Sequence, residues 1–229
     1  MDHRLIMITG SGPGAGKSTV MSEIAKTLRH RALPALEVDE DAVWGKRQLG
    51  RNPVELTAVW PEFRELLHKP KPQISPTAAD LLHTFQCVQD RAERAGAIWI
   101  QDWSWLDVAE MLPWTQSDHR LLLKFSMDLR IMAEQLRPTV LYLRADPEHA
   151  LRRAIADRGP VWFERHADGM VPASNSKERL STLASMYAKR EQLRRRVLED
   201  GGWTPVYIDS GSSLQEVLHA ALTALGLDA

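Results

Sequence analysis

The chain has 229 residues, a formal net charge of -1 and a single cysteine. This length suits one domain with a sizeable core, and the balanced charge offers no general attraction for nucleic acid. One cysteine excludes an internal disulfide. The chain enters a strand-like run directly and has no stretch of about 18 apolar residues. We therefore expect a single cytoplasmic domain over residues 1–229, with neither nucleic acid nor a membrane as its partner.

The first motif is a glycine-rich loop at residues 10–19, which follows the apolar run 5–8 and precedes a helical pattern. Its glycines let backbone N–H groups turn toward a phosphate. Near its end the loop has a lysine that can reach the β- and γ-phosphates and a serine that can bind Mg²⁺. The strict pattern has glycine at position 11, where this chain has Ser11. The sequence predicts a site for ATP, or another nucleoside triphosphate, with Mg²⁺, formed by Gly12, Pro13, Gly14, Ala15, Gly16, Lys17, Ser18 and Thr19.

Short apolar runs alternate with helical patterns along the rest of the chain. Strands are predicted over 5–8, 35–38, 97–100, 139–143 and 205–208, and helices over 20–29, 78–95, 121–136, 147–157, 177–199 and 214–225. Strands separated by helices indicate right-handed crossovers and a parallel sheet that is covered on both faces. The predicted fold class is α/β, a three-layer arrangement with a parallel β-sheet flanked by helices.

Two segments interrupt this alternation. Residues 44–76 contain a proline-rich stretch, which we interpret as an irregular or partly helical insertion on the substrate side. After the fourth strand, three arginines (152, 153 and 158) precede a polar stretch that runs to Asn175. We interpret residues 158–176 as a lid whose arginines close over the phosphates. Arg158 is the preferred catalytic candidate because it stands beside a Gly-Pro break.

Three aspartates stand at predicted strand ends, where parallel sheets bind ligands: Asp39, Asp102 and Asp146. The first two are the candidates for chemistry. Asp39 follows the second strand and Asp102 follows the third. Each could serve as a turn or helix cap, but phosphoryl transfer requires a carboxylate near the acceptor and Mg²⁺ ligands. The chain has neither an Asn-Lys-x-Asp stretch for guanine nor a long apolar run ending in Asp-Glu. The sequence therefore favours a P-loop kinase fold with a lid segment, in which Asp39 is catalytic and Asp102 binds metal.

Several short motifs, taken in order, resemble the deoxynucleoside kinases and more distantly the thymidylate kinases. That family has Glu and then Trp five residues later after its second strand, a Thr-Phe-Gln stretch, and an acidic residue followed by Arg-Ser after its third strand. The matching segments here are Asp39 with Trp44, Thr84-Phe85-Gln86, Asp102-Trp103-Ser104, and Asp146-Pro147-Glu148 ahead of Arg158-Gly159. The resemblance spans nearly the whole chain.

The resemblance implies roles for the matching positions. Asp39 would be the general base, Lys17 and Arg158 would act on the transferred phosphoryl group, and Ser18 with Asp102 would hold Mg²⁺. Trp44 would line the acceptor pocket, and the amide of Gln86 would bind a nucleobase. The resemblance also implies a donor-base contact near residues 209–213 and a homodimer formed through the helices at 78–95 and 121–136.

One departure concerns the acceptor. Trp103 stands where the family has arginine, and tryptophan supplies neither the charge nor the forked donors of arginine. If the acidic residues 39–41, Asp102 and Asp107 converge, a pocket lined by Trp44, Trp103 and Trp105 would suit a cationic acceptor. The predicted substrate-binding residues are Trp44, Gln86, Trp103 and Asp107.

The resulting prediction is a kinase that transfers phosphate from ATP to a hydroxyl of a small molecule, with a nucleoside as the leading acceptor. A kinase for an aminoglycoside or another specialised metabolite is the alternative that Trp103 favours, and a nucleoside monophosphate is a third acceptor class. From a different class of protein, a nucleotide-dependent regulatory ATPase or a binding module stays open.

Overall fold

The structure is a computed structural model that describes residues 3–38, 77–102, 105–110, 115, 118–168 and 175–228. Its strands are β1 (Leu5–Gly10), β2 (Ala35–Val38), β3 (Ile98–Gln101), β4 (Thr139–Arg144) and β5 (Val206–Asp209). Its helices are α1 (Lys17–His30), α2 (Ala78–Arg94), α3 (Trp105–Ala109), α4 (His119–Ala133), α5 (Pro147–Arg158), α6 (Pro160–Asp168), α7 (Ser176–Asp200) and α8 (Leu214–Ala224).

The strands form one parallel sheet in the order β2-β3-β1-β4-β5. The central strand β1 pairs with β3 at Leu5↔Trp99 and with β4 at Gly10↔Leu143. All six residues of β1 are buried, as expected for a parallel strand covered on both faces. Since all strands run the same way, β1, β2 and β3 end at one edge of the sheet, where the glycine-rich loop begins.

Each face of the sheet has its own apolar core, because successive side chains of a strand point to opposite faces. Leu5 and Met7 belong to the cluster that includes Phe85 of α2 and Leu129 of α4. Ile6 and Ile8 belong to the other cluster, against α1 and α8. Helix, sheet and helix thus form three layers, which confirms the predicted α/β fold with a parallel sheet flanked by helices.

The predicted elements agree with the structure apart from their ends, the short helix α3 and one longer added helix. The helix whose amphipathic pattern covers 20–29 begins at Lys17, where the loop ends, as the loop motif predicts. The proposed insertion at 44–76 lies outside the described residues. Within the described part of the chain, every helix is too short or too polar to cross a membrane.

The added helix, α6, occupies part of the stretch interpreted as a polar lid. It starts at Pro160, and proline is favoured in the first turn of a helix. Phe163 and Ala167 lie one turn apart and are buried against α5 and α7. Much of the proposed lid over 158–176 is therefore a packed amphipathic helix, because its few apolar residues recur at helical spacing.

Candidate active site at the phosphate-binding loop

The loop between β1 and α1 adopts the backbone conformation that its glycines permit. The φ angles of Gly12, Gly14 and Gly16 are 131°, 79° and 89°, and L side chains rarely adopt such values. A Cβ atom on Gly14 would also lie 1.9 Å from the carbonyl oxygen of Ala150 on α5. The loop therefore needs glycine at position 14 both for its conformation and for its close approach to α5.

Ser11, the departure from the strict pattern, joins the loop to the neighbouring strand. Its Oγ accepts a hydrogen bond from the N–H of Ala145 at 3.0 Å and lies 3.4 Å from the carbonyl oxygen of Leu143. The Ser11 N–H donates to the same carbonyl oxygen. The serine satisfies polar groups where β1 and β4 end, so its side chain anchors the loop's first residues.

The N-terminus of α1 lacks the side-chain cap that five other described helices have. No side chain caps α1 and no acidic residue lies in its first turn. By contrast, Thr77 and Ser213 begin capping boxes, and Asp118, Asp146 and Asn175 accept backbone N–H bonds at the starts of their helices. The first N–H groups of a helix and its macrodipole attract an anion. The start of α1 is thus suited to a phosphate.

Lys17 and Ser18 are the first two residues of α1, and their side chains contact Gly12 and Asp102. Lys17 Nζ donates to the carbonyl oxygen of Gly12 at 2.9 Å. Ser18 Oγ donates to Oδ2 of Asp102 at 2.5 Å, and Asp102 directly follows β3. A hydroxyl and one carboxylate fit Mg²⁺, which takes its other ligands from phosphates and water. Thr19 is exposed in the same turn.

A buried charge network lies directly behind the loop. Arg194 of α7 donates from Nη1 to the carbonyl oxygen of Gly10 at 2.7 Å. Its guanidinium also lies 2.7 Å from Oδ1 of Asp107 and 2.7 Å from Oε2 of Glu110, the residue after α3. Asp107 further accepts a 3.1 Å hydrogen bond from Thr9 of β1. One side chain therefore ties the end of β1 to α3 and α7.

Burial and pairing act against each other in this network. Burial would lower the pKa of Arg194, but the carboxylates of Asp107 and Glu110 more than offset that effect and raise it. Burial raises the pKa of Glu110, which Arg194 offsets only in part. Tyr142, whose buried hydroxyl lacks a hydrogen-bond partner among the described residues, has a pKa raised by the same desolvation. Arg194 stays charged and compensates the acids.

Three of the predicted site residues, Asp39, Trp44 and Trp103, lie outside the described residues. Val38, the last described residue before Asp39, pairs with Gln101 in the sheet. The strand β2 therefore ends at the same edge of the sheet at which Asp102 stands. The roles predicted for these three residues stay predictions.

The described acceptor-side residues have partners nearby. Gln86 Nε2 donates to Asp90 on the next turn of α2, and Asp107 is paired with Arg194. Trp105, considered above as a pocket wall, is fully buried. Its ring packs edge-on against Phe85, and its Nε1 donates to Gln101. Trp105 is thus a core residue, and that part of the pocket prediction is wrong.

The three arginines expected in the lid are held in different ways. Arg152 pairs with Glu148 on the surface of α5. Arg153 donates from Nη1 to the carbonyl oxygen of Ser210 in the loop after β5. The guanidinium of Arg158 lies 5.0 Å from the ring centroid of Trp162 on α6. Arg153 thereby anchors the loop to which the donor-base contact was predicted.

Sequence reasoning missed Arg194 because it stands in the run Arg194-Arg195-Arg196, which is typical of a solvated helix face. The available signal is helical phase. Leu183, Tyr187 and Leu198 mark the buried stripe of α7, and Arg194 lies one turn before Leu198 on that stripe. An arginine on a buried stripe requires an acidic or carbonyl partner.

Comparison with known proteins identifies the fold. No protein-family profile and no curated protein matches the chain. The YorR protein of Bacillus subtilis, solved in complex with phosphorylated GDP, superposes with a TM-score of 0.52 over 98% of this chain and 96% of that chain, at 15% identity. A gluconokinase from Sinorhizobium meliloti 1021 gives a TM-score of 0.45 at 16% identity, covering 98% of this chain and 93% of that one. The likeness to YorR shows the fold alone, a three-layer α/β arrangement, and the chemistry of this chain has to be argued from its own residues.

Proposed function

We propose that this protein is a kinase that uses ATP and Mg²⁺ to phosphorylate a hydroxyl group of a small molecule. The observation that carries the proposal is the Ser18–Asp102 pair, which lies beside an uncapped helix N-terminus and a lysine-bearing loop. This set supplies a phosphate site and metal ligands in one place. The fold likeness supports a P-loop enzyme without indicating its acceptor.

Each residue has a defined part in the proposed reaction. The N–H groups of the loop and the ammonium of Lys17 would bind the phosphates, and Ser18 with Asp102 would hold Mg²⁺, which offsets negative charge on the phosphates. Asp39 would accept the proton of the acceptor hydroxyl while the oxygen of that hydroxyl forms a bond to the γ-phosphorus of ATP. The bond between that phosphorus and the oxygen bridging to the β-phosphate breaks, and ADP leaves. Arg158 would stabilise charge on the group in transfer, for which it would leave its contact with the ring of Trp162.

A nucleoside is the proposed acceptor class, on the strength of the Thr84-Phe85-Gln86 segment and the strand-end Asp39. The rival aminoglycoside hypothesis depended on a cluster of uncompensated acids. In the structure, Arg194 pairs with Asp107, and Asp102 faces Ser18, where the pair is proposed to hold Mg²⁺. The described part of that cluster is therefore a poor attractant for a cationic acceptor, which favours the nucleoside.

The donor is proposed to be ATP, although the fold also accommodates guanine nucleotides, as the YorR complex with phosphorylated GDP illustrates. The base would lie near the loop after β5, which Arg153 and the Ser210–Arg144 hydrogen bonds hold in place. ATP and GTP should both be offered in any test of activity.

The test is a screen of nucleotide consumption with nucleosides, nucleoside monophosphates and aminoglycosides as acceptors. We expect acceptor-dependent release of ADP with a nucleoside. Asp39→Asn should abolish turnover while leaving ATP affinity within about twofold, because the residue is proposed to contact the acceptor and not the donor. Asp200→Asn, at the exposed end of α7, is the matched control and should keep full activity.

Two outcomes would contradict the proposal. A slow ATP hydrolysis that no acceptor accelerates would favour a regulatory ATPase. Full activity in Asp39→Asn would remove Asp39 as the base while leaving the nucleotide site intact.

A further inference from the structure

Four side chains form a column that leads from the end of α5 to the phosphate loop. The guanidinium of Arg158 lies over Trp162, and the ring of Trp162 stacks on His166 with centroids 4.8 Å apart. His166 Nε2 lies 2.6 Å from the hydroxyl oxygen of Tyr187, and the two rings are parallel within 5°. The column joins α5, α6 and α7 through direct contacts.

The column ends on the backbone of the loop. A Cβ atom on Gly12 would lie 3.0 Å from Cδ1 of Tyr187, so the tyrosine ring lies flush against Gly12 with no room for a side chain between them. Tyr187 is 7% exposed. The carbonyl oxygen of this same glycine accepts the hydrogen bond from Lys17 Nζ. The ring thus supports the loop residue that holds the phosphate-binding lysine.

Hydrogen bonding fixes the direction of the Tyr187 ring. The Tyr187 ring is packed in the cluster formed by α5, α6 and α7, and its hydroxyl has a partner in His166, which reaches it from α6. In its neutral form an imidazole has one donor and one acceptor nitrogen, so it can pair with a hydroxyl in either direction. α6 is therefore linked to the loop through one side chain, that of Tyr187.

The charges around His166 favour its neutral form. Burial lowers the pKa of His166, and two cations lower it further, Arg158 from α5 and Arg190 from α7. Tyr187 faces it from α7 and Trp162 from its own helix. A proton on His166 would place a third positive charge among these groups and disturb the column.

We propose that Tyr187 is a positioning residue for Lys17 and the phosphate loop, and that His166 holds Tyr187 in place. This inference rests on the proposed nucleotide site, and it assigns to α6 an effect on the loop that acts through Tyr187. Losing the Tyr187–His166 hydrogen bond leaves the fold of the loop intact. It lets Gly12, and Lys17 bonded to its carbonyl oxygen, move to other positions, and this weakens triphosphate binding.

The test measures binding of ATP with Mg²⁺ to the full chain by calorimetry, well below the melting temperature. Tyr187→Phe and His166→Phe each keep an aromatic ring and lose the hydrogen bond. Each should raise the dissociation constant about fivefold, the change that corresponds to one ordinary hydrogen bond. The double variant should be no weaker than either single variant, because both remove the same bond. His166→Gln, whose amide can still pair with the hydroxyl, should restore near-normal affinity.

Tyr207→Phe is the matched control. Its hydroxyl donates a hydrogen bond of the same 2.6 Å length to Glu199, on a different part of the molecule. Loss of ATP affinity in Tyr187→Phe but not in Tyr207→Phe separates positioning of the loop from a general loss of stability. Equal affinity in these two variants, or additive effects in the double variant, would overturn the inference while leaving the nucleotide site in place. A wild-type protein that binds no ATP would overturn the proposed function and this inference with it.

Discussion

Ser18 Oγ donates a 2.5 Å hydrogen bond to Oδ2 of Asp102, although 84 positions separate the two residues in the chain. Ser18 lies in the first turn of α1, and Asp102 follows β3, the strand next to β1. The parallel pairing of β1 with β3 brings the two residues to one edge of the sheet. In the proposed site, the exposed hydroxyl of Ser18 and the buried carboxylate of Asp102 would hold one Mg²⁺ together.

Replacing Asp102 tests this pair. Asp102→Asn keeps the shape of the side chain but removes the charge that would attract Mg²⁺. We expect the Mg²⁺ concentration for half-maximal activity to rise by about 10- to 100-fold, with ATP consumption as the measurement. Ser181→Ala removes an exposed hydroxyl that bonds only the backbone of its own helix and should leave the Mg²⁺ dependence unchanged. An unaltered Mg²⁺ requirement in Asp102→Asn would exclude Asp102 from the metal site.

Two loop glycines should respond differently to alanine. A Cβ at Gly14 meets backbone atoms of α5, whereas a Cβ at Gly16 meets nothing within 4 Å. Both have positive φ, so Gly16→Ala should cost only the conformational penalty of about 1–2 kcal/mol. Gly14→Ala should cost clearly more, since backbone has to move. Urea denaturation without nucleotide measures both, and equal losses would mean that α5 does not press against the loop.

Arg194 should be essential for stability. Arg194→Met would remove the cation that lies 2.7 Å from Asp107 and from Glu110, and would leave the buried Glu110 only Arg190, at 3.6 Å. We expect a loss of about 3 kcal/mol, the lower end of the range for breaking a buried ion pair. Arg196→Met, two residues further along the same helix but exposed, should change the free energy of unfolding by less than about 0.5 kcal/mol. Urea denaturation gives both values.

A rescue experiment separates charge from packing at Arg194. Neutralising the acids in the background of Arg194→Met, with Asp107→Asn and Glu110→Gln, should recover part of the lost free energy of unfolding. If the triple variant is no more stable than Arg194→Met, the lost packing of the arginine side chain and its bond to Gly10, rather than unpaired charge, dominate.

Acid should destabilise the protein in part through His166. Its pKa is lowered in the folded state, so the unfolded chain takes up the proton first as the pH falls below about 6.5. The stabilising contribution is present above that pH and is lost as the pH falls through the folded pKa. His166→Gln should show a shallower loss of melting temperature between about pH 7 and about pH 5. Identical slopes in both proteins would show that His166 does not titrate differently on folding.

The fold was largely predictable because its signals are local. Apolar runs of strand length alternate with segments whose apolar residues recur at helical spacing. The glycine-rich loop marks where β1 ends and α1 begins. The strand order is not a local property, since it depends on which crossovers pack together. The helix at 160–168 was missed because its Pro160 start and its polar residues resemble a loop, while Phe163 and Ala167 acquire their meaning only from the helices they contact.

The candidate site was predictable where a motif is continuous or where a predicted strand ends. Lys17 and Ser18 follow from the loop itself, and Asp102 follows from its strand end. Arg194 and His166 could not be assigned, because their partners are distant in sequence: Gly10 is 184 positions from Arg194, and Tyr187 is 21 from His166. Trp105 looked like a pocket residue because sequence alone does not distinguish a ring in a core from one that lines a cleft.

The central claim is that a γ-phosphoryl group passes from ATP to a hydroxyl of a small molecule. Incubation with γ-labelled ATP and a panel of nucleosides tests it directly, with products separated and the label followed. The account predicts label in a phosphorylated nucleoside, lost in Lys17→Met and in Asp39→Asn. Label that appears only as inorganic phosphate, at the same rate with and without any acceptor, would contradict it.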